Sequence, residues 1–107
     1  MTDRELLELA AKAHGGIMFD SWGVADVFIC RDTLNLWNPL TDDGDALRLA
    51  VKLGIGLDID IYPGCNETEA WVGSYDNHRQ YCHHGECPYA ATRRAIVRAA
   101  ASIGEQK

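Results

Sequence analysis

The chain reads as an α/β (α+β) protein: an antiparallel sheet of about four strands packed by three helices, in the order α-β-β-α-β-β-α. Three observations predict this. Three segments, "TDRELLELAAKAHGG", "LTDDGDALRLAVKLG" and "PYAATRRAIVRAAASIG", place apolar residues at helical spacing between start and stop signals. "IGLDIDIY" alternates apolar and polar residues with the period of a half-buried strand. A short link that begins "PGCN" joins it to "TEAWVGSYD", which makes an antiparallel pair. With 107 residues, 47% of them apolar, the chain is expected to form a single domain, residues 1–107.

The elements follow in order. Residues 2–14 form the first helix. Thr2 and Glu5 make a T-x-x-E capping box, Leu6, Leu9, Ala10 and Ala13 form its apolar stripe, and Gly15-Gly16 ends it. Residues 23–31, "GVADVFICR", read as a strand whose run Val27, Phe28, Ile29, Cys30 is covered on both faces. "TLNLWN" alternates and reads as a short second strand, hairpinned to the first.

Pro39 breaks the chain, and Thr41 or Asp42 caps a second helix with carboxylates in its first turn. Its buried stripe is expected to be Ala46, Leu47, Ala50, Val51 and Leu53, and Gly54 its end. In "IGLDIDIY", Leu57, Ile59 and Ile61 face one way and Asp58, Asp60 and Tyr62 the other. Pro88 suits the first position of the last helix. Ala91, Ala95, Ile96, Ala99 and Ile103 form its packing face, and Gly104 closes it.

Composition excludes several functions. The net charge is −6, and lysine occurs only at Lys12, Lys52 and Lys107. Sequence-independent nucleic-acid binding needs a basic face, which three helix arginines, Arg93, Arg94 and Arg98, do not make. No apolar run reaches the roughly 20 residues of a membrane helix, so no membrane partner is expected. The acidic, amphipathic N-terminus lacks the pattern of a signal peptide, which points to a cytoplasmic location, the host-cell cytoplasm on the reading below, with reduced cysteines. Neither a G-x-x-x-x-G-K-[ST] nor a G-x-G-x-x-G loop is present.

"HRQYCHHGECPY" gathers two of the four cysteines and three of the four histidines. As a zinc site it would use His78, Cys82, His84 and Cys87, with Cys65 as another donor, because C-x₄-C is a usual spacing for a ligand pair. A second close cysteine pair is missing, so the favoured reading is a polar hairpin end running into a helix, with no cofactor and Cys87 as the cap. A Cys–His nucleophile has no supporting signature: adjacent Cys82 and His83 point apart in extended chain. No catalytic residue is assigned and no enzyme activity is expected.

Recognition is the better-supported chemistry. Asp58 and Asp60 share a strand face, and Glu69, Trp71 and Tyr75 alternate along the next strand. Trp37, Asp58, Asp60, Trp71, Tyr75 and Arg79 are the candidate partner-binding residues. Tryptophan and tyrosine are frequent hot spots, and an acidic surface suits a basic protein.

"WNPLTDDGDALRLAVKLGI", followed by a polar hairpin and then "PYAATRRAIVRAAASIG", resembles small phage and prophage proteins of the phage α-β-α (ABA) sandwich domain family. The resemblance covers roughly residues 37–104. It implies a phage origin, an α/β sandwich and an accessory role, and it carries over no catalytic residue. The position before the final proline, often aspartate in that pattern, is Cys87 here. The expected function is a phage accessory protein that binds and blocks a host protein, as a counter-defence or host-takeover factor. The alternative is a sponge for a small nucleotide signal, with Trp37, Trp71 and Tyr75 stacking a base, Arg31 or Arg79 meeting phosphate, and a homo-oligomer as a compatible assembly. A zinc-stabilised interaction module is the third reading.

Overall fold

The structure is a computed structural model and describes residues 2–20, 27–31, 34–72 and 79–106. It is a mixed α+β fold of three helices and two small antiparallel sheets. The order is α1 (Asp3–His14), β1 (Ile17–Asp20), β2 (Val27–Cys30), α2 (Asp43–Leu53), β3 (Ile55–Tyr62), β4 (Cys65–Val72), β5 (Gln80–His83) and α3 (Pro88–Glu105). β1 pairs with β2, and the second sheet runs β3-β4-β5. The expected single four-stranded sheet is therefore corrected to two sheets of two and three strands.

Both differences in strand content have a local cause. The described part of "TLNLWN", residues 34–38, forms no regular strand: Leu34 takes a left-handed backbone with φ 59 and donates its N–H to the Cys30 carbonyl at 2.8 Å. That turn leaves one isolated bridge, Ile29 to Leu36. Around that bridge the Cys30 N–H donates to the Asn35 carbonyl at 3.0 Å and the Trp37 N–H to the Phe28 carbonyl at 2.7 Å, so the expected hairpin contact survives in short form. The regular partner of β2 is β1, only four residues long and too short for its alternation to register in the sequence. β5 is equally short and lies inside the polar stretch read as a hairpin end. Residues 23–26, 32, 33 and 73–76 of the expected strands and their link, among them the candidate Tyr75, and the candidate His78 lie outside the described residues.

The helix signals translate directly into geometry. Thr2 caps α1: its Oγ1 accepts from the Glu5 N–H at 3.2 Å and donates to the Glu5 carboxylate at 3.1 Å. Gly15, at φ 84, ends the helix. Asp42 caps α2, accepting from the Asp45 N–H at 2.8 Å, which is worth about 1 kcal/mol. The Asn38 N–H donates to Asp45 at 2.9 Å, which ties the chain ahead of Pro39 to the first turn of α2.

α3 is the central element. It packs on α1, α2, β4 and β5, so it is buried on more than one side: Ala91, Ala95, Ile96, Val97, Ala99, Ala100, Ala101 and Gly104 are all inside. Gly104 does not terminate the helix as the sequence suggests; α3 continues to Glu105. Its place is explained by α1, because a Cβ on Gly104 would lie 2.0 Å from the Leu9 carbonyl oxygen. The helices cross there at backbone contact.

Three arginines clamp α3 to its surroundings. Arg93 donates to the Leu40 carbonyl at 2.8 Å and to Asp43 of α2 at 2.6 Å. Arg94 reaches Asp3 of α1 at 2.9 Å, and Arg98 donates to the Cys82 thiol of β5 at 3.4 Å. They grip three different elements and form no phosphate-binding cluster.

The α1–α3 crossing yields the first prediction. Gly104→Ala removes a helix-destabilising glycine, yet it must push apart two backbones that touch. A net loss of about 1–3 kcal/mol is expected, read as a lower urea midpoint. An unchanged or raised midpoint would show that the crossing is not tight.

Candidate functional site

Strand alternation sorts the three-stranded sheet into two faces. The register sets Ile55, Leu57, Ile59 and Ile61 of β3 beside Val72, Ala70, Thr68 and Asn66 of β4. Thr68 meets Thr92 of α3 at 2.8 Å, so this is the helix-facing side. The other side carries Asp58 opposite Glu69, Asp60 opposite Glu67, and Gly56 opposite Trp71. β5 adds Tyr81 beside Glu69 and His83 beside Glu67.

This outer face is acidic and open. Asp58, Tyr81 and His83 are exposed, and Asp60, Glu67 and Glu69 are half-buried. Two carboxylate pairs stand directly across from each other on neighbouring strands, an arrangement that weakens a sheet by a few tenths to about 1 kcal/mol per pair. Arg79 offsets part of this by pairing with Glu69. Its guanidinium also lies 5.0 Å from the centre of the Trp71 ring, within cation–π range. Trp71 folds across the sheet onto β3, into space that a Cβ on Gly56 would occupy, at 2.4 Å.

At the β3–β4 turn, Gly64 at φ 89 lets Tyr62 and Cys65 face each other. The Cys65 thiol donates to Asp60 at 3.8 Å. Hydrogen bonding to Cys65, with the Cys65 and Asp60 charges, holds the Tyr62 phenol above its ordinary value.

Of the candidate recognition residues, Asp58, Asp60, Trp71 and Arg79 come together on this face. Trp37 does not. It is only 5% exposed and packs edge-on against Phe28 and His14, with ring centres at 6.2 and 6.0 Å. It is a core residue with almost no surface for a partner or a base. Glu67, Tyr81 and His83 belong to the face without having been singled out. Glu67 alternates with Glu69 in "NETEAWV", and the other two emerge only once β5 is seen as a strand.

"HRQYCHHGECPY" is β5 leading into the cap of α3. Alternation buries Cys82 toward α3 and leaves His83 outside. Burial pushes the Cys82 thiol up against the opposing pull of Arg98 and Arg94. His84 is buried with its Nε2 at 2.8 Å from the Thr68 hydroxyl, and its Nδ1 has no hydrogen-bond partner among the described residues. The Cys87 Sγ accepts from the Ala90 N–H at 3.4 Å, as a cap. Among the described residues no three histidine, cysteine or carboxylate side chains gather where a metal would sit.

A second surface lies on the helix side of β3. Leu47 of α2, Leu57, Ile59 and Ile61 of β3, and Tyr89 and Ile96 of α3 line a groove of about 300 Å³. Leu47 and Val51 were expected to be buried, yet they are 61% and 74% exposed; α2 is covered instead along Ala46, Leu49 and Ala50. Ile59 and Ile61 are also more exposed than a half-buried strand predicts, at 49% and 63%.

The buried thiol gives a pH prediction. Because burial raises the folded-state value of Cys82, its contribution to stability is full below the ordinary thiol value of 9.0 and is lost as pH rises beyond it. Unfolding free energy is expected to fall from pH 9 upward, with a shallower fall in Cys82→Ala. A thiol-alkylating reagent should reach exposed Cys87 first and Cys82 last; the reverse order would contradict the burial.

Among known proteins, no family model, no curated protein and no solved structure matches this chain.

Proposed function

We propose that this protein works by binding, and that its outer sheet face captures a basic segment of another protein. One observation carries the reading: Asp58, Asp60, Glu67 and Glu69 are held in facing pairs on adjacent strands. A fold under selection for stability alone has little reason to keep such pairs. Cations from a partner turn the repulsion into attraction. Exposed Tyr81 and Tyr62 and half-buried Trp71 add amphipathic contact area around the charges.

The likeness of the α2 and α3 segments to the phage α-β-α sandwich class supports assigning the protein to a phage and its partner to the infected host. On that assignment it is a counter-defence or host-takeover factor, acting in the host cytoplasm by occupying a basic site. The nucleotide-sponge reading has less support, since Trp37 is buried and Arg79 is paired with a carboxylate. The zinc-module reading draws no support from the described cysteines and histidines, each engaged in other contacts or turned to the opposite face.

The test combines binding with stability. A lysine-rich peptide is expected to bind by titration calorimetry, to weaken with added salt, and to weaken about ten-fold in the Asp58→Asn, Asp60→Asn double variant. The same variant should be more stable than the parent by a few tenths of a kcal/mol, because two like-charge pairs are relieved. Binding that ignores both salt and the substitutions would overturn the reading.

A further inference from the structure

We propose that the outer edge of β3 is a strand-addition site. It takes one extended segment of a partner protein in which apolar residues alternate with lysine or arginine. The proposal rests on the reading that the sheet face binds a basic partner, and specifies where that partner docks and in what conformation.

The first ground is backbone chemistry. β3 lies at the end of the sheet order β3-β4-β5, and only β4 pairs with it. Its other edge makes no hydrogen bond among the described residues. It is eight residues long and has no internal proline or lysine; its only charged side chains, Asp58 and Asp60, guard it against acidic strands and not against a basic one. An added strand supplies the missing donors and acceptors.

The second ground is that β3 presents different chemistry on its two faces. Toward the helices it shows Ile59 and Ile61, beside exposed Leu47 and Tyr89 in the groove. Toward the outside it shows Asp58 and Asp60. A neighbouring strand projects successive side chains to opposite faces, so its apolar residues cover Ile59, Ile61 and Leu47 while its cations meet Asp58 and Asp60. A helix lying in the groove would leave the edge amides and both aspartates unanswered.

Charge selects the occupant. A second copy paired antiparallel about Ile59 would set Asp58 against Asp60 of that copy on the same face, twice over. Each copy also brings a net charge of −6. Like charges directly opposite are destabilising, so self-pairing is opposed by the residues that favour a basic strand.

The experiment uses the full chain and three eight-residue peptides. One alternates valine and lysine, the second is that peptide N-methylated throughout its backbone, and the third alternates valine and glutamate. The first is expected to bind and to slow amide exchange within residues 55–62. N-methylation keeps every side chain but removes every donor, and should weaken binding about ten-fold or more. The glutamate peptide should not bind. Equal binding of the methylated peptide would overturn strand addition and leave the charge-based reading standing. No binding of either lysine peptide would overturn both. A dimer in sedimentation that the lysine peptide cannot displace would overturn the proposal in favour of a second copy.

Discussion

The crossing of α1 and α3 is the contact on which the rest of the molecule depends. It is made by absence of side chain: Gly104 lets α1 approach until the Leu9 carbonyl occupies the space of a missing methyl, and the buried residues one turn earlier, Ala100 and Ala101, are also small. Close backbone approach replaces large interdigitating side chains, so few of the inward residues of α3 are bulky. From that position α3 reaches both the other helices and the sheet, and the Arg93, Arg94 and Arg98 clamps extend from it to α2, α1 and β5. Each arginine, which in the sequence is only one of three too few to make a basic face, acts in the fold as a tie between elements.

Helix ends were the most legible part of the chain. The Thr2–Glu5 box, the Asp42 cap, Gly54 at φ 66 and Pro88 at the start of α3 are short-range features whose physics is complete within four or five residues. What was not legible depended on distant neighbours. Gly104 looks like a stop because its sequence neighbours do not reveal that α1 lies against it. Trp37 looks like a recognition residue because nothing nearby shows Phe28 and His14 closing around it. Leu47 and Val51 have the right spacing for burial, but a stripe is buried only where something covers it. The acidic face was half legible: Asp58 and Asp60 follow from alternation, whereas the facing positions of Glu67 and Glu69 require the β3–β4 register.

The two faces of the three-stranded sheet divide stability from recognition. Toward α3 the centre of the sheet, in β4 and β5, offers Ala70, Thr68 and Cys82, which are small or hydrogen-bonded, and the Thr68 hydroxyl joins Thr92 and His84 in a polar contact under the helix. Away from α3 it holds carboxylates in positions that lower its own stability. Only the face away from the helices can bear that cost, since substitutions there leave the α1–α3–sheet packing untouched.

The eight-residue edge of β3, guarded only by charge, also bears on how the protein behaves in concentrated solution. Asp58 and Asp60 keep exposed Ile59 and Ile61 from joining those of other molecules, and they do so only as far as their field extends. That field reaches about 10 Å in dilute salt and about 3 Å at 1 M. In strong brine the edge therefore loses its electrostatic shield while its hydrophobic attraction persists. Solubility should be bounded by ionic strength well before the fold itself is disturbed, and the first aggregates should be ordered ribbons of sheet with the folded domain intact.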